Sequence, residues 1–316
     1  MSKKKILTLL IIGLLSTLGT LIFIRDSRDS CTSIEKYDAI RGQCYYECDT
    51  DEECAKKEAL VEAELNSYFE STKSKVDISN GSVSTPKKEE SAVQHTYNNG
   101  RFSPEISDNS EKEIWGYFLT IAGADFAKQN ITKVSFYNDK DSDTSAAVNQ
   151  DEQDSSKWDL SVNLAHKDDT KELLMTLVHE YAHIYSLNSA EVDGKVANSC
   201  PHLSISEGCA KDGSMINQFN KKFWANLNAD ANSEEFGKYY AANPDNFTSE
   251  YAATNTIEDF AETFAYATLK NTQKYPESAK SKVAFMEGNP KINANMSRIR
   301  AELGQALVRS KQIIDK

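Results

Sequence analysis

The segment Val178-His179-Glu180-Tyr181-Ala182-His183 constrains the fold of this chain more than any other. Two imidazoles four residues apart share one face only on a helix, and Glu180 then projects from the same turn. The surrounding sequence agrees. From Asp168 to Leu187 it reads DDTKELLMTLVHEYAHIYSL, with acidic residues at its start, Thr170 available as a cap, and Leu173, Leu174, Leu177 and Val178 ahead of the motif. A helix is predicted over that range. H-E-x-x-H on a helix is the pattern by which two histidines hold one zinc ion while the glutamate faces a bound water. The competing readings are two surface histidines without a metal, and a site that keeps its ligands but has lost turnover.

A catalytic zinc usually takes three protein ligands and leaves one position for water. The extension H-E-x-x-H-x-x-G-x-x-H would need glycine at 186 and histidine at 189, and both positions are serine. Of the other histidines, His202 sits beside Cys200 and Pro201, His95 falls in a polar stretch, and His166 just precedes the motif helix. A carboxylate is therefore the expected third ligand. Glu258 and Glu262 are spaced i, i+4 in Thr256-Ile257-Glu258-Asp259-Phe260-Ala261-Glu262, so one could bind the metal and the other support it from behind. Glu191, Asp193 and Glu207 are rivals, and a solvated acidic helix face is the alternative.

H-E-Y-A-H together with the downstream stretch S-E-Y-A-A-T-N-T-I-E-D-F-A-E, Ser249 to Glu262, resembles the gluzincin zinc metallopeptidases, in particular the group that includes anthrax lethal factor and the bacterial Pro-Pro endopeptidases. The resemblance implies an α+β fold: a zincin-like catalytic domain with a small twisted sheet, an active-site helix bearing H-E-x-x-H, and a mainly helical C-terminal half. It implies His179, His183 and Glu258 as ligands of one catalytic Zn2+, with Glu262 supporting them. It further implies Glu180 as general base and Tyr251, seven residues before Glu258, as the electrophilic partner. Tyr239, Tyr240 and Tyr266 are alternative phenols. An edge strand above the metal that pairs with an extended substrate is also implied, and Trp158 to Asn163 is the candidate for it. The chain departs from the group in one respect: 74 residues separate His183 from Glu258, and the excess falls around Cys200 to Cys209. The function implied is a zinc-dependent endopeptidase acting on a peptide or protein. A catalytically silent binding module of the same fold and a cell-wall peptide amidase are the alternatives.

The remaining sequence suggests where such a domain would work. Ile6 to Ile24 is uncharged and follows Lys3, Lys4 and Lys5. As a helix it would be about long enough to cross a bilayer of roughly 30 Å. Residues 1–30 are accordingly expected to be a signal-anchor, with a cleaved signal peptide as the rival, which makes the membrane a partner and the rest of the chain extracytoplasmic. All six cysteines (Cys31, Cys44, Cys48, Cys54, Cys200 and Cys209) lie beyond it, and an even number in an oxidising compartment suggests disulfides rather than a zinc ribbon. The expected organisation is a small cysteine-rich segment with a helix at 31–70, a polar linker at 71–100, and the catalytic domain at 101–316. Acidic residues outnumber basic ones 48 to 36, for a formal charge of -12. With no basic stripe, a nucleic-acid partner is excluded.

Overall fold

The computed structural model describes residues 35–38, 43–46, 50–70, 92–194, 199–225, 236–269 and 277–314. The apolar segment Ile6 to Ile24, Cys31, Cys48 and most of the expected linker lie outside them. No helix among the described residues is long and apolar enough to cross a membrane. The described residues fall into two compact units, one within Met1–Leu65 and Gly304–Lys316, the other within Asn66–Leu303. In the first, β1 (Glu35–Asp38) and β2 (Gln43–Tyr46) form an antiparallel hairpin. It is followed by α1 (Asp51–Glu70), whose first turn holds Asp51, Glu52 and Glu53 against the helix dipole. Val61 of α1 packs against Gly304, where a Cβ would collide with it.

The second unit is an α+β assembly on a mixed sheet. Its elements are β3 (Val93–Asn98), β4 (Arg101–Ser103), α2 (Asn109–Ala122), α3 (Ala124–Asn130), β5 (Ile131–Tyr137), β6 (Ala146–Gln150), β7 (Trp158–Asn163) and α4 (Thr170–Leu187). Then come three short strands, β8 (Val192–Asp193), β9 (Ser204–Ile205) and β10 (Gly208–Ala210), and the helices α5 (Met215–Phe223), α6 (Phe236–Ala242), α7 (Thr256–Leu269), α8 (Glu277–Gly288) and α9 (Pro290–Ile314), whose residues from Gly304 onward belong to the first unit. The large sheet has the order β4-β3-β5-β7-β6, with β5 and β7 parallel and the other pairs antiparallel. Its apolar face carries Ile131, Val134, Phe136, Leu160 and Val162, all almost fully buried, as are Ile114, Phe118 and Ile121 of α2.

Two local expectations change. Ile114, Phe118, Ile121 and Ala122 stand at helical spacing and predict a helix over Glu111 to Lys128, but the chain breaks at Gly123, which has φ 82. That conformation is open to glycine at little steric cost and ends α2 before α3 begins. The expected start of the domain at Arg101 also needs correction, because Val93–Asn98 is a strand of the sheet. Its inward residues are His95 and Tyr97, so the strand alternation is present but is written with a polar side chain. His95 is accommodated because its Nδ1–H donates to the Pro104 carbonyl at 2.8 Å.

The motif helix is the centre of the unit. Asp169 caps α4 by accepting from the Glu172 amide at 3.1 Å, so Thr170 is the first helical residue rather than the cap. Thirteen residues of α4 are buried, which is too many for a helix with a solvated face, so α4 is packed on several sides. Beyond it, Cys200 and Cys209 are joined by a disulfide that spans β9 and β10. Gly208 precedes Cys209 with φ 147, and a Cβ there would run into the Asp193 carbonyl. Phe264 of α7 is fully buried against Tyr181 and Tyr185 of α4, at ring distances of 6.1 and 5.9 Å. Phe264→Ala is expected to cost about 3–5 kcal/mol in stability. Urea unfolding measures this, and a cost below about 1 kcal/mol would contradict a close-packed junction of these helices.

Candidate metal centre

The site forms where α7 meets α4. Asn255 caps α7, its Oδ1 accepting from the amides of Ile257 at 2.8 Å and Glu258 at 3.0 Å, which places Glu258 in the first turn. Glu258 and Glu262 then lie on one face, directed at His179. The His179 Nδ1–H donates to Glu262 Oε1 at 2.7 Å. Its other nitrogen, Nε2, lies 3.1 Å from Glu258 Oε2 and 2.9 Å from His183 Nε2. The triangle closes with 3.2 Å between His183 Nε2 and Glu258 Oε2. All three residues are buried, and they are a group of the kind that could hold a metal ion.

This donor set fits zinc. With the His179 Nδ1–H committed to a carboxylate, a neutral ring would present its Nε2 lone pair to a metal at the centre, the arrangement usual for metal-bound histidine. Two nitrogens and a carboxylate oxygen converge there. A tetrahedral zinc with bonds of about 2.05 Å needs ligand atoms about 3.3 Å apart, close to the spacing found.

Electrostatics follow from burial among these groups. Burial alone would raise the Glu258 pKa, but the two imidazoles outweigh it and hold the carboxyl well below its usual range. For His179 burial opposes the charged form, and Glu258 and Glu262 together more than reverse this, raising its pKa. Glu180 is 7% exposed. Burial raises its pKa, partly offset by His179 and His183, and its Oε2 accepts from the Val148 amide at 2.9 Å.

Tyr251 lies in a short 3-10 turn, Tyr251–Ala253, with its ring 5.8 Å from that of His179. Burial, and then the charges of Glu258, Glu180 and Glu262, push its pKa far above the usual phenol value, so the hydroxyl remains a donor. Among the other phenols, Tyr239 packs edge-on to Phe247. The rival ligands are engaged elsewhere. Glu191 accepts from the Met215 amide, Asp193 faces Lys211, Glu207 accepts from Ser206 and His202 faces Asp212. His166 donates to the Ser142 carbonyl.

The candidate substrate strand changes. Trp158–Asn163 is internal, between β5 and β6, and Trp158 is 1% exposed. Among the described residues, the strand beside the motif helix that has a free edge is β6. Bonds from Asn163 N–H to the Ser145 carbonyl and from Asp151 N–H to the Lys157 carbonyl show that alternate residues face β7. Ala146, Val148 and Gln150 therefore turn their backbone polar groups to the open edge. The Val148 amide reaches Glu180 for that reason.

Sequence reasoning gave no role to several residues. Ser249 donates to Glu262 Oε2 at 2.6 Å. Asp259, next to Glu258, is fully buried and accepts from Trp224 Nε1 at 2.7 Å and Lys282 Nζ at 2.6 Å. Desolvation acts against both charges of this pair: it raises the Asp259 pKa to about 6 and lowers that of Lys282. In sequence these carboxylates could equally be a solvated acidic helix face, and only the fold turns Asp259 inward. The first cysteine group is described in part: Cys54 is disulfide-bonded, and its partner lies outside the described side chains.

No family model and no curated protein matches this chain. One solved structure that does match is a protein from Bacteroides caccae, provisionally described as a zinc-binding metallo-peptidase, at 15% identity and TM-score 0.32, covering 66% of this chain and 77% of its own. Lys282→Met leaves the Asp259 carboxylate buried without its cation and is expected to cost about 3–5 kcal/mol. Denaturant unfolding is the measurement, and Lys282→Met with Asp259→Asn is expected to recover part of the loss.

Proposed function

We propose that this chain is a zinc-dependent endopeptidase, with His179, His183 and Glu258 as the metal ligands. The observation that carries the reading is the convergence of two imidazole nitrogens and one carboxylate oxygen within 3.2 Å of one another, with Glu180 buried on the same helix. Zinc in such a site supplies Lewis acidity, lowering the pKa of water toward about 7 and polarising a carbonyl.

The protein residues supply the rest. Glu180 takes the proton from the attacking water and delivers it to the leaving amine. Burial suits it to this work, because a carboxylate with a raised pKa is a stronger base. The Val148 amide holds Oε2 toward the strand, which leaves Oε1 for the proton. Tyr251 donates its hydroxyl proton in a hydrogen bond to the developing oxyanion. An extended peptide adds to the free edge of β6, where the outward amides and carbonyls of Ala146 and Gln150 pair with its backbone. Glu262 keeps His179 in orientation from behind.

We infer an extracytoplasmic location, with the apolar segment Ile6 to Ile24 as the membrane tether. The Cys200–Cys209 bond supports an oxidising compartment.

The purified protein is expected to hold about one zinc per chain and to cleave a peptide library, with cleavage abolished by a chelator and restored by zinc. Glu180→Gln is expected to keep the metal and to lower kcat by about 10²–10⁴-fold. Full activity in that variant would sink the mechanism. Tyr251→Phe is expected to lower kcat by about 10²-fold with KM little changed. Zinc without cleavage in the wild type would identify a binding module, and preference for isolated cell wall over protein would identify a wall amidase.

A further inference from the structure

Ser249 bridges the carboxylate behind His179 and the backbone of the turn that carries Tyr251. Its Oγ–H donates to Glu262 Oε2 at 2.6 Å, and the same oxygen accepts the Ala252 amide at 3.0 Å. A carboxylate only accepts, so the hydroxyl proton must point to Glu262 and a lone pair is left for Ala252. The other oxygen of Glu262 accepts the His179 Nδ1–H. Ala252 follows Tyr251 in the 3-10 turn, which is closed by bonds from Ala253 N–H to the Glu250 carbonyl and from Thr254 N–H to the Tyr251 carbonyl. One continuous path therefore runs from the His179 ring through Glu262 and Ser249 to the turn that carries Tyr251. Glu262 is 2% and Ser249 9% exposed, so water does not readily replace these bonds.

We propose that Ser249 is a positioning residue that locks the Tyr251 turn to the carboxylate behind the metal ligands, so that phenol and ligand shell move as one body. The proposal rests on the peptidase reading for its kinetic part. Loss of the hydroxyl leaves a carboxylate oxygen and an amide buried without partners, which frees the turn and weakens the hold on His179. A serine that merely capped a turn would have no effect on the metal.

The test uses the full-length chain loaded with zinc and compares wild type, Ser249→Ala and Ser249→Thr. Ser249→Ala is expected to weaken zinc binding, read by chelator competition, about tenfold, and to speed hydrogen exchange at the Ala252 amide about tenfold. It is expected to lower kcat about tenfold with KM within about threefold. Ser249→Thr, which keeps the hydroxyl, should stay within about threefold of wild type in all of these. On a Tyr251→Phe background, Ser249→Ala should lower kcat by less than about twofold, because the phenol it positions is already absent. Unchanged zinc affinity and unchanged Ala252 exchange in Ser249→Ala would overturn the proposal, as would losses that simply multiply in the double variant. If Ser249→Ala fails to fold, Ser249→Cys, close in size and a weak donor, takes its place in every comparison. A wild type that cleaves nothing refutes the peptidase reading, while zinc affinity and Ala252 exchange still decide the role of Ser249.

Discussion

His179 is held between two carboxylates, Glu258 on one nitrogen and Glu262 on the other, and much of the second unit is arranged around that contact. The contact demands that two helices cross at one place and one rotation. A turn of either helix by a single residue would swing its polar groups about 100° away. The rotation of α4 is set by burial of Leu173, Leu174, Leu177 and Val178. That of α7 is set by Phe260 and Phe264. Apolar packing thus fixes the phase, and the polar groups meet because their spacing matches it.

Gathering several ionisable groups in a dry interior is costly unless each finds a partner. Glu258 has the imidazoles, Glu262 has His179 and Ser249, and Glu180 has the Val148 amide. Asp259 is turned the other way, to Trp224 and Lys282. Adjacent carboxylates on α7 therefore serve opposite sides of one helix. One faces the proposed metal, while the other ties α7 to α8 and to the end of α5. The sheet contributes through its edge, since β6 has no strand beyond it among the described residues and its outward amide can reach a side chain of α4.

The site was legible in the sequence to the extent that it is local. The motif helix expected over Asp168 to Leu187 runs from Thr170 to Leu187 with Asp169 rather than Thr170 as its cap, and the i, i+4 pair Glu258 and Glu262 lies on the helix Thr256–Leu269. The sequence and the structure differ where a local signal is weak or has two meanings. Val93–Asn98 resembled linker because one of its inward residues is a histidine. Gly123 is a helix break only because the backbone adopts a positive φ there, which the letter alone does not announce. Trp158–Asn163 was correctly a strand and wrongly an edge, because strand order is not written in any one strand.

His179 and His183, and separately Glu258 and Glu262, were paired by the sequence itself. The 3.6-residue period of a helix makes an i, i+4 pair neighbours whatever surrounds them. The tertiary structure alone decided that these two pairs would meet, although His179 and Glu258 are 79 positions apart in sequence. It also decided that Tyr251 would lie beside them, that Ser249 would bridge turn and carboxylate, and that β6 rather than β7 would present the open edge. Such contacts depend on how buried helix faces and strand order bring distant segments together, and that is a property of the packed chain rather than of any window along it.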